Sequence, residues 1–176
     1  MPRTRLYLDF DDVINADYPE TVWGRRATAV VVRTGFRAGA YRIVWAPQLI
    51  DELAQVIADY NLEPVWLSTW NYDDQILSAV DLFDDRLTGL RIPEYTGLRK
   101  REGFVGAGYW KASVIAADLD TSPTPFIWAE DTEIRLHGDA VRTKAAGIPH
   151  LFVEPNPYVG LTPADMAGIR RFLDSL

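Results

Sequence analysis

The chain has 176 residues, 48% of them hydrophobic and 24% charged, which fits one globular domain over residues 1–176. It contains no cysteine, and this excludes disulfides, thiolate metal sites and cysteine nucleophiles. Its net charge of −7 opposes unspecific binding to nucleic acid, and no window is apolar over the length of a membrane span, so we expect a cytoplasmic protein without a membrane partner.

The first part of the chain predicts a strand, a hairpin and a helix. Residues 5–10 form a short apolar run that is typical of a buried strand. Residues 27–33 and 41–45 are rich in β-branched and aromatic side chains and flank the turn TGFRAGA. They predict a β-hairpin within a small flap of about residues 16–45. Pro47 then opens a helix whose apolar residues recur at helical spacing.

The rest of the chain predicts strands that alternate with helices. The expected strands are 64–67, 88–92, 125–129 and 150–153, and the expected helices are 73–82, 108–119 and 132–146. A last helix follows Thr162-Pro163-Ala164-Asp165, which reads as an N-cap, a first-turn proline and a capping-box acid. This alternation predicts a three-layer, Rossmann-like α/β fold, with a mostly parallel sheet and helices on both faces.

Acidic and hydroxyl side chains follow the predicted core strands. They are Asp9, Asp11 and Asp12 after the first strand, Ser68-Thr69 after the second, Glu130-Asp131 after a later one, and Lys111 on the helix before it. Because parallel strands end at one edge of a sheet, we expect these side chains to converge there. So many carboxylates tolerate each other around a hard cation, and a chain with no cysteine and two histidines favours Mg²⁺ over Zn²⁺.

These residues form four motifs in a fixed order. The motifs are Asp9-Phe10-Asp11-Asp12-Val13 after an apolar strand, Ser68 in VWLSTW, Lys111 on a helix, and Glu130-Asp131 in FIWAED. In order and spacing, over about residues 5–153, they resemble the motifs of the haloacid dehalogenase (HAD) superfamily of phosphotransferases. A narrower resemblance is to compact HAD proteins of bacteria and phages with a WLxTW-like second motif and a GLT-led last helix. Some of those are attached to RNA-repair enzymes.

The resemblance implies a two-step phosphatase mechanism. Asp9 would attack phosphorus and form an aspartyl-phosphate that water later hydrolyses. Asp11 would protonate the leaving oxygen and then take a proton from that water. The dehalogenases of the superfamily lack this second aspartate, so Asp11 favours phosphate chemistry. Position 12 is often glycine in relatives, and here it is Asp12.

The resemblance also implies ligands for a metal and for phosphate. Mg²⁺ would be held by the Asp9 carboxylate, the Asp11 main-chain carbonyl and Asp131. The phosphoryl oxygens would be bound by Ser68, Thr69 and Lys111. Glu130 would orient Lys111 or a metal-bound water, since relatives commonly have an Asp-Asp pair where this chain has Glu-Asp.

The spacing between motifs leaves no room for a large cap domain, and an uncapped site suits a bulky substrate. We expect a nucleotide, a nucleic-acid end or a phosphoprotein, and infer no obligate protein partner. The residues that would flank the site or stack on a base are Arg25, Arg26, Arg33, Arg37 and Arg42 of the acid-free stretch 21–50, the run Arg99-Lys100-Arg101, and Trp70, Tyr72 or Phe36. The alternative for each is packing or solvated loop charge.

Two other functions remain compatible with the motifs. One is a phosphoacceptor resembling a response-regulator receiver, which also gathers acids, a hydroxyl and a lysine around Mg²⁺. Receivers carry the phosphorylated aspartate on a later strand and the lysine on a strand, so Lys111 on a predicted helix favours the phosphatase. The other is a degenerate HAD domain that serves protein interaction.

Overall fold

The computed structural model describes residues 3–35, 37–94 and 109–176. Phe36 and the run Arg99-Lys100-Arg101 lie outside the described residues, so the hypotheses on them are not tested. The helices and strands in chain order are β1 (Arg5–Leu8), α1 (Glu20–Trp23), β2 (Ala27–Arg33), β3 (Gly39–Trp45), α2 (Pro47–Asp59), β4 (Glu63–Trp66), α3 (Ile76–Val80), α4 (Tyr109–Thr121), β5 (Phe126–Ala129), α5 (Glu133–Lys144), β6 (His150–Val153) and α6 (Pro163–Asp174).

Four strands form one parallel sheet in the order β4-β1-β5-β6. The last residue of β1, Leu8, is in register with Trp66 at the end of β4 and with Ala129 at the end of β5. Ala129 is in turn paired with Val153 at the end of β6. All four strands therefore end at the same edge, so the residues that follow them lie side by side. The predicted parallel α/β sheet is confirmed.

The sheet is covered on both faces, as predicted. Alternate residues of β1 point to opposite sides, so Leu8 packs in one apolar cluster and Tyr7 in the other. The first cluster includes residues of α2 and α6, and the second includes residues of α4 and α5. Every residue of β1 and β5 is buried, which explains why residues 6–8 and 126–129 read as continuous apolar runs.

The predicted hairpin is confirmed as β2 and β3, which pair from Ala27↔Trp45 to Arg33↔Gly39. Its connecting turn contains Gly35 at φ 68° and Arg37 at φ 56°. The base of the hairpin is attached to the loop after β1, because the Ala16 N–H donates to the Val44 carbonyl at 3.0 Å. The hairpin is thus fixed beside the edge where β1 ends.

The region between β4 and α4 differs from the prediction. The helix expected over 73–82 is divided into a 3₁₀ segment at Thr69–Asp74, the short helix α3 and a second 3₁₀ segment at Asp81–Phe83. Asp73 and Asp74 have φ values of 49° and 54°, and a left-handed backbone cannot continue an α-helix. The strand expected over 88–92 is reduced to a single bridge between Val65 and Arg91. In the described parts of these connections there is no cap domain.

The last helix starts at the predicted capping box. The Thr162 hydroxyl accepts from the Asp165 N–H at 3.2 Å, and the Asp165 carboxylate accepts from the Thr162 N–H at 2.8 Å. Of the helices in the described residues, none has the length and apolar character needed to span a membrane.

Candidate active site

A cavity of about 330 Å³ lies at the edge where the parallel strands end. Its lining consists of Asp9, Asp11, Asp12, Arg37, Thr69, Lys111, Glu130, Asp131, Thr132 and Glu133. These residues come from the segments after β1, β4 and β5, from the hairpin turn, from α4 and from the start of α5. Segments that are far apart in the sequence therefore supply one site.

Asp9 is the first residue after β1 and is held on both oxygens. Its Oδ1 accepts from the N–H of Phe10 at 2.7 Å, and its Oδ2 accepts from Lys111 Nζ at 2.6 Å. Its own N–H donates to the Ala129 carbonyl at 3.1 Å, which anchors it to β5. The carboxylate is thus presented to the cavity in a fixed orientation.

Lys111, on the first turn of α4, is shared by two carboxylates. Its buried ammonium donates to Asp9 and also to Glu130, which is 1% exposed. The other oxygen of Glu130 accepts from the Thr132 and Glu133 N–H groups at 3.2 and 3.3 Å, at the start of α5. Glu130 thus joins the lysine to α5, and two carboxylates share one ammonium.

The neighbouring charges of Lys111, Asp9 and Glu130 shift the pKa values of the lysine and of Glu130. Burial lowers the pKa of Lys111, but the adjacent Asp9 and Glu130 carboxylates outweigh it and raise that pKa, so the lysine stays charged. Burial and the negative charge of Asp9 raise the pKa of Glu130, while Lys111 opposes the change. Two carboxyl groups that compete for one ammonium would both ionise more readily beside a further cation.

Asp11 also has a donor on each oxygen. Asn15 Nδ2 donates to its Oδ1 at 2.8 Å, and the Trp70 indole N–H donates to its Oδ2 at 2.9 Å. Burial raises the pKa of Asp11, and Asp9 adds to the shift, whereas the hydrogen bonds from Asn15 and Trp70 reduce it. A raised pKa suits a carboxyl group that donates and accepts protons near neutral pH.

Asp12 adopts a left-handed backbone with φ 60°. Its N–H donates to the Asn15 carbonyl at 2.7 Å, which closes a tight turn. The short side chain of an aspartate tolerates this conformation, so the turn does not require glycine at position 12. Partial desolvation raises the pKa of Asp12 to about 6, and the charges of Asp131 and Asp11 contribute.

The residues present fit a hard cation. Carboxylate oxygens of Asp9, Glu130 and Asp131 lie within 4.8 Å of one another. Oxygen ligands suit a hard cation such as Mg²⁺, which is usually bound through one or two carboxylates together with water and substrate phosphate. The sequence predicted Asp9, Asp11 and Asp131 as ligands, and the structure adds Glu130 to the group that can hold the ion.

The chain is similar to one known protein family. A family model described as the HAD domain in Swiss Army Knife RNA repair proteins matches residues 5–166. The chain belongs to this family. No curated protein and no solved structure matches it. The matched range includes every residue that lines the cavity, and membership supports a HAD-type phosphohydrolase at the level of the superfamily.

Of Ser68 and Thr69, the two hydroxyl residues that were predicted to bind phosphate in this HAD domain, one lines the cavity and the other does not. Thr69 lines the cavity, whereas Ser68 is 1% exposed. Ser68 Oγ accepts a hydrogen bond from the backbone N–H of Trp70, with 3.5 Å between oxygen and nitrogen, at the start of the 3₁₀ segment. Thr69 is thus the member of the pair whose position in the cavity is established.

Trp70 and Tyr72, two of the three proposed base-stacking residues, do not line this cavity. Trp70 is 1% exposed and packs between Phe10 and Tyr41, so the hypothesis that it stacks on a base is wrong. Tyr72 lines a different cavity of about 290 Å³, together with Asp73 and other residues. The sequence provided no separate signal for these positions, because burial depends on segments distant in the chain.

The arginines of the hairpin region of this HAD domain have separate roles. Arg37, in the turn, lines the cavity, and Arg42 is exposed beside a neighbouring cavity of about 130 Å³ that shares Asp12. Arg26 is paired with Glu20 at 2.9 Å. Arg33 was expected at the mouth of the site, but it is 3% exposed because its guanidinium packs inside the fold.

Asn15 is a site residue that the sequence analysis missed. It contacts Asp11 with its amide nitrogen and accepts from the Val44 N–H with its amide oxygen at 2.8 Å. Its position four residues after Asp11, in a turn that returns on itself, was the available signal. Lys111 on helix α4 and Asp9 after the first strand also separate this HAD domain from receivers.

Proposed function

We propose that this HAD domain is a Mg²⁺-dependent phosphomonoesterase that forms an aspartyl-phosphate on Asp9, with Asp11 as general acid and base. The observation that carries the proposal is the meeting of Asp9, Asp11 and Lys111 in one cavity beside the acidic pair Glu130-Asp131. Membership of the HAD family supports the coarser assignment, a phosphohydrolase.

In the first step, an oxygen of Asp9 forms a bond to phosphorus. The bond between phosphorus and the leaving oxygen breaks, and its electron pair stays on that oxygen. The leaving oxygen takes the proton of Asp11, which stands two residues from the nucleophile in the same cavity. The products of this step are the alcohol and the phosphorylated Asp9.

In the second step, a water oxygen attacks the phosphorus of the aspartyl-phosphate. Asp11, now ionised, takes a proton from this water, and the bond between phosphorus and Asp9 breaks. Inorganic phosphate leaves, and both aspartates return to their initial states. The order requires Asp11 to be protonated first, which its raised pKa favours.

Basic and hydroxyl groups at the cavity compensate the phosphoryl charge. Lys111, Arg37 and Thr69 are the side chains in place to do so. Mg²⁺ would be held by Asp9 and Asp131, with Glu130 or the Asp11 main-chain carbonyl, and when bound it supplies positive charge that offsets the phosphoryl oxygens.

We infer that the substrate is the phosphorylated end of a nucleic acid, or a nucleotide. The family description refers to RNA repair proteins. In the described structure a hairpin, with Arg37 at its turn and exposed Arg42 on β3, borders the cavity in place of a cap domain. The net charge of −7 limits binding to the rest of the surface, so recognition would be local.

The test is a phosphate-release assay with Mg²⁺ on 3′- and 5′-phosphorylated oligoribonucleotides, nucleoside monophosphates and p-nitrophenyl phosphate. Asp9→Asn should abolish turnover of every substrate. Asp139→Asn, a surface change at a side chain that is 99% exposed, should leave turnover intact. A wild-type protein that hydrolyses none of these esters, while correctly folded, would rule the function out.

A further inference from the structure

Both carboxylate oxygens of Asp11 accept hydrogen bonds from residues to which the four motifs assign no role. Trp70 Nε1 donates to one oxygen at 2.9 Å and Asn15 Nδ2 to the other at 2.8 Å. A carboxyl group with a donor on each oxygen cannot rotate freely about its terminal bond. The direction in which Asp11 presents its proton is therefore set by these two neighbours.

Trp70 is itself held in place by the hairpin. The guanidinium carbon of Arg33, on β2, lies 4.4 Å from the centre of the Trp70 ring. Arg33 Nε donates to Gln75 Oε1 at 2.7 Å, and Arg33 Nη2 donates to the Thr69 carbonyl at 3.2 Å. This buried arginine therefore clamps the segment that carries Trp70 against β2.

Asn15 is held by the other strand of the hairpin. Its Oδ1 accepts from the N–H of Val44 on β3 at 2.8 Å. That contact fixes the amide orientation, so the Asn15 Nδ2 must be the group that faces Asp11. Each hairpin strand thus supports one of the two donors to Asp11.

We propose that Trp70 and Asn15 are positioning residues that aim the Asp11 carboxyl at the leaving oxygen, and that Arg33 and Val44 of the hairpin hold them there. This inference rests on the proposed role of Asp11 as general acid. Trp70 and Asn15 contact neither phosphorus nor its ligands in this scheme. They act through the geometry of proton transfer alone.

The proposal predicts a dependence on the leaving group. A nitrophenolate leaves without a proton, whereas an alkoxide needs one as its bond to phosphorus breaks. Misplacing Asp11 should therefore slow the cleavage of alkyl phosphates far more than that of p-nitrophenyl phosphate. The relevant constant is kcat/KM, because it reports the steps up to phosphoryl transfer to Asp9.

The experiment measures kcat/KM for p-nitrophenyl, phenyl and alkyl phosphates in wild type and variants. Trp70→Phe removes the N–H and keeps an aromatic ring, while Asn15→Asp keeps the acceptor for Val44 and removes the donor to Asp11. We expect both to lower kcat/KM about tenfold or more for alkyl phosphates and less than about threefold for p-nitrophenyl phosphate. Arg33→Met should act in the same direction.

The matched control is Trp128→Phe. Trp128 is also fully buried, and its indole N–H has no hydrogen-bond partner within the described residues. It should lower stability, as Trp70→Phe does, but change kcat/KM by a similar factor for all leaving groups. Thermal unfolding of each variant shows that it is folded, and Asn15→Asp provides the test if Trp70→Phe is not.

The outcomes separate this inference from the proposed function. A uniform fall over all leaving groups, or no fall, in Trp70→Phe and Asn15→Asp would overturn the positioning role, provided that Asp11→Asn is selectively slow on alkyl phosphates. If Asp11→Asn itself shows no such selectivity, or if wild type hydrolyses no ester, the proposed chemistry fails and the positioning role fails with it.

Discussion

Replacing Lys111 by methionine measures how strongly the buried charges of the site depend on one another. The substitution keeps an unbranched side chain but removes the ammonium that donates to Asp9 and Glu130. The side chains of Lys111, Asp9 and Glu130 are 5%, 10% and 1% exposed, so water compensates little of the loss. Removing one partner of a buried ion pair typically costs about 3–5 kcal/mol.

Asp9 lines a cavity that water enters, so we expect the low end of that range, about 3 kcal/mol, for Lys111→Met. Without Lys111, Glu130 must either carry a buried charge or take up a proton, and Glu130→Gln removes both costs. The double variant Lys111→Met/Glu130→Gln should therefore be more stable than Lys111→Met by about 1 kcal/mol, although it carries two substitutions.

The assay is urea unfolding in the presence of EDTA, followed by tryptophan fluorescence. Lys144→Met is the control, because Lys144 pairs with Asp120 at the surface, with side chains 41% and 64% exposed, and should cost less than about 1 kcal/mol. The reasoning is refuted if Lys111→Met costs no more than the control. It is also refuted if adding Glu130→Gln destabilises Lys111→Met further.

Three further results are expected. Asp131→Asn should raise the Mg²⁺ concentration that half-saturates turnover by about tenfold or more, and an unchanged titration would remove Asp131 from the metal site. Asp11→Asn should release one equivalent of p-nitrophenol rapidly and then stall, because the aspartyl-phosphate on Asp9 still forms but its hydrolysis lacks the base; steady release without a burst would contradict this. In urea denaturation, Gly160→Ala should lower the free energy of unfolding by about 2 kcal/mol more than Gly147→Ala. A Cβ at position 160 would lie 2.6 Å from the Val13 carbonyl oxygen, whereas Gly147, which also has a positive φ, has nothing within 4 Å. Equal losses of stability in the two variants would contradict this prediction.

The helices and strands that the sequence predicted correctly are those whose pattern lies within a few neighbouring residues. The mainly apolar strands β1 and β5, the hairpin and the Thr162 capping box were recognisable because periodicity, turn residues and caps act over a few positions. The segment 69–92 was not, because its apolar residues suit a helix while its left-handed Asp73 and Asp74 interrupt one.

The motif residues of the candidate site were visible in the same way. Asp9, Asp11, Lys111 and the pair Glu130-Asp131 follow core strands or stand on a helix, and parallel strands must end at a common edge. Their arrival in one cavity follows from that topology. The sequence left both packing and ligand contact open for Trp70, and it did not predict burial for Arg33; both side chains are buried in the structure.

The order of residues establishes which chemistry this protein can offer. It predicts an oxygen-rich site without cysteine, with two aspartates on one turn and a lysine whose positive charge opposes theirs. Which neighbours orient that chemistry depends on packing between segments that are distant in the sequence. Trp70 stands 59 residues from Asp11, and its indole reaches the carboxyl through contacts that no local pattern encodes. Packing against the hairpin selects this pairing, because side chains distant in sequence become neighbours only after the sheet and hairpin have assembled.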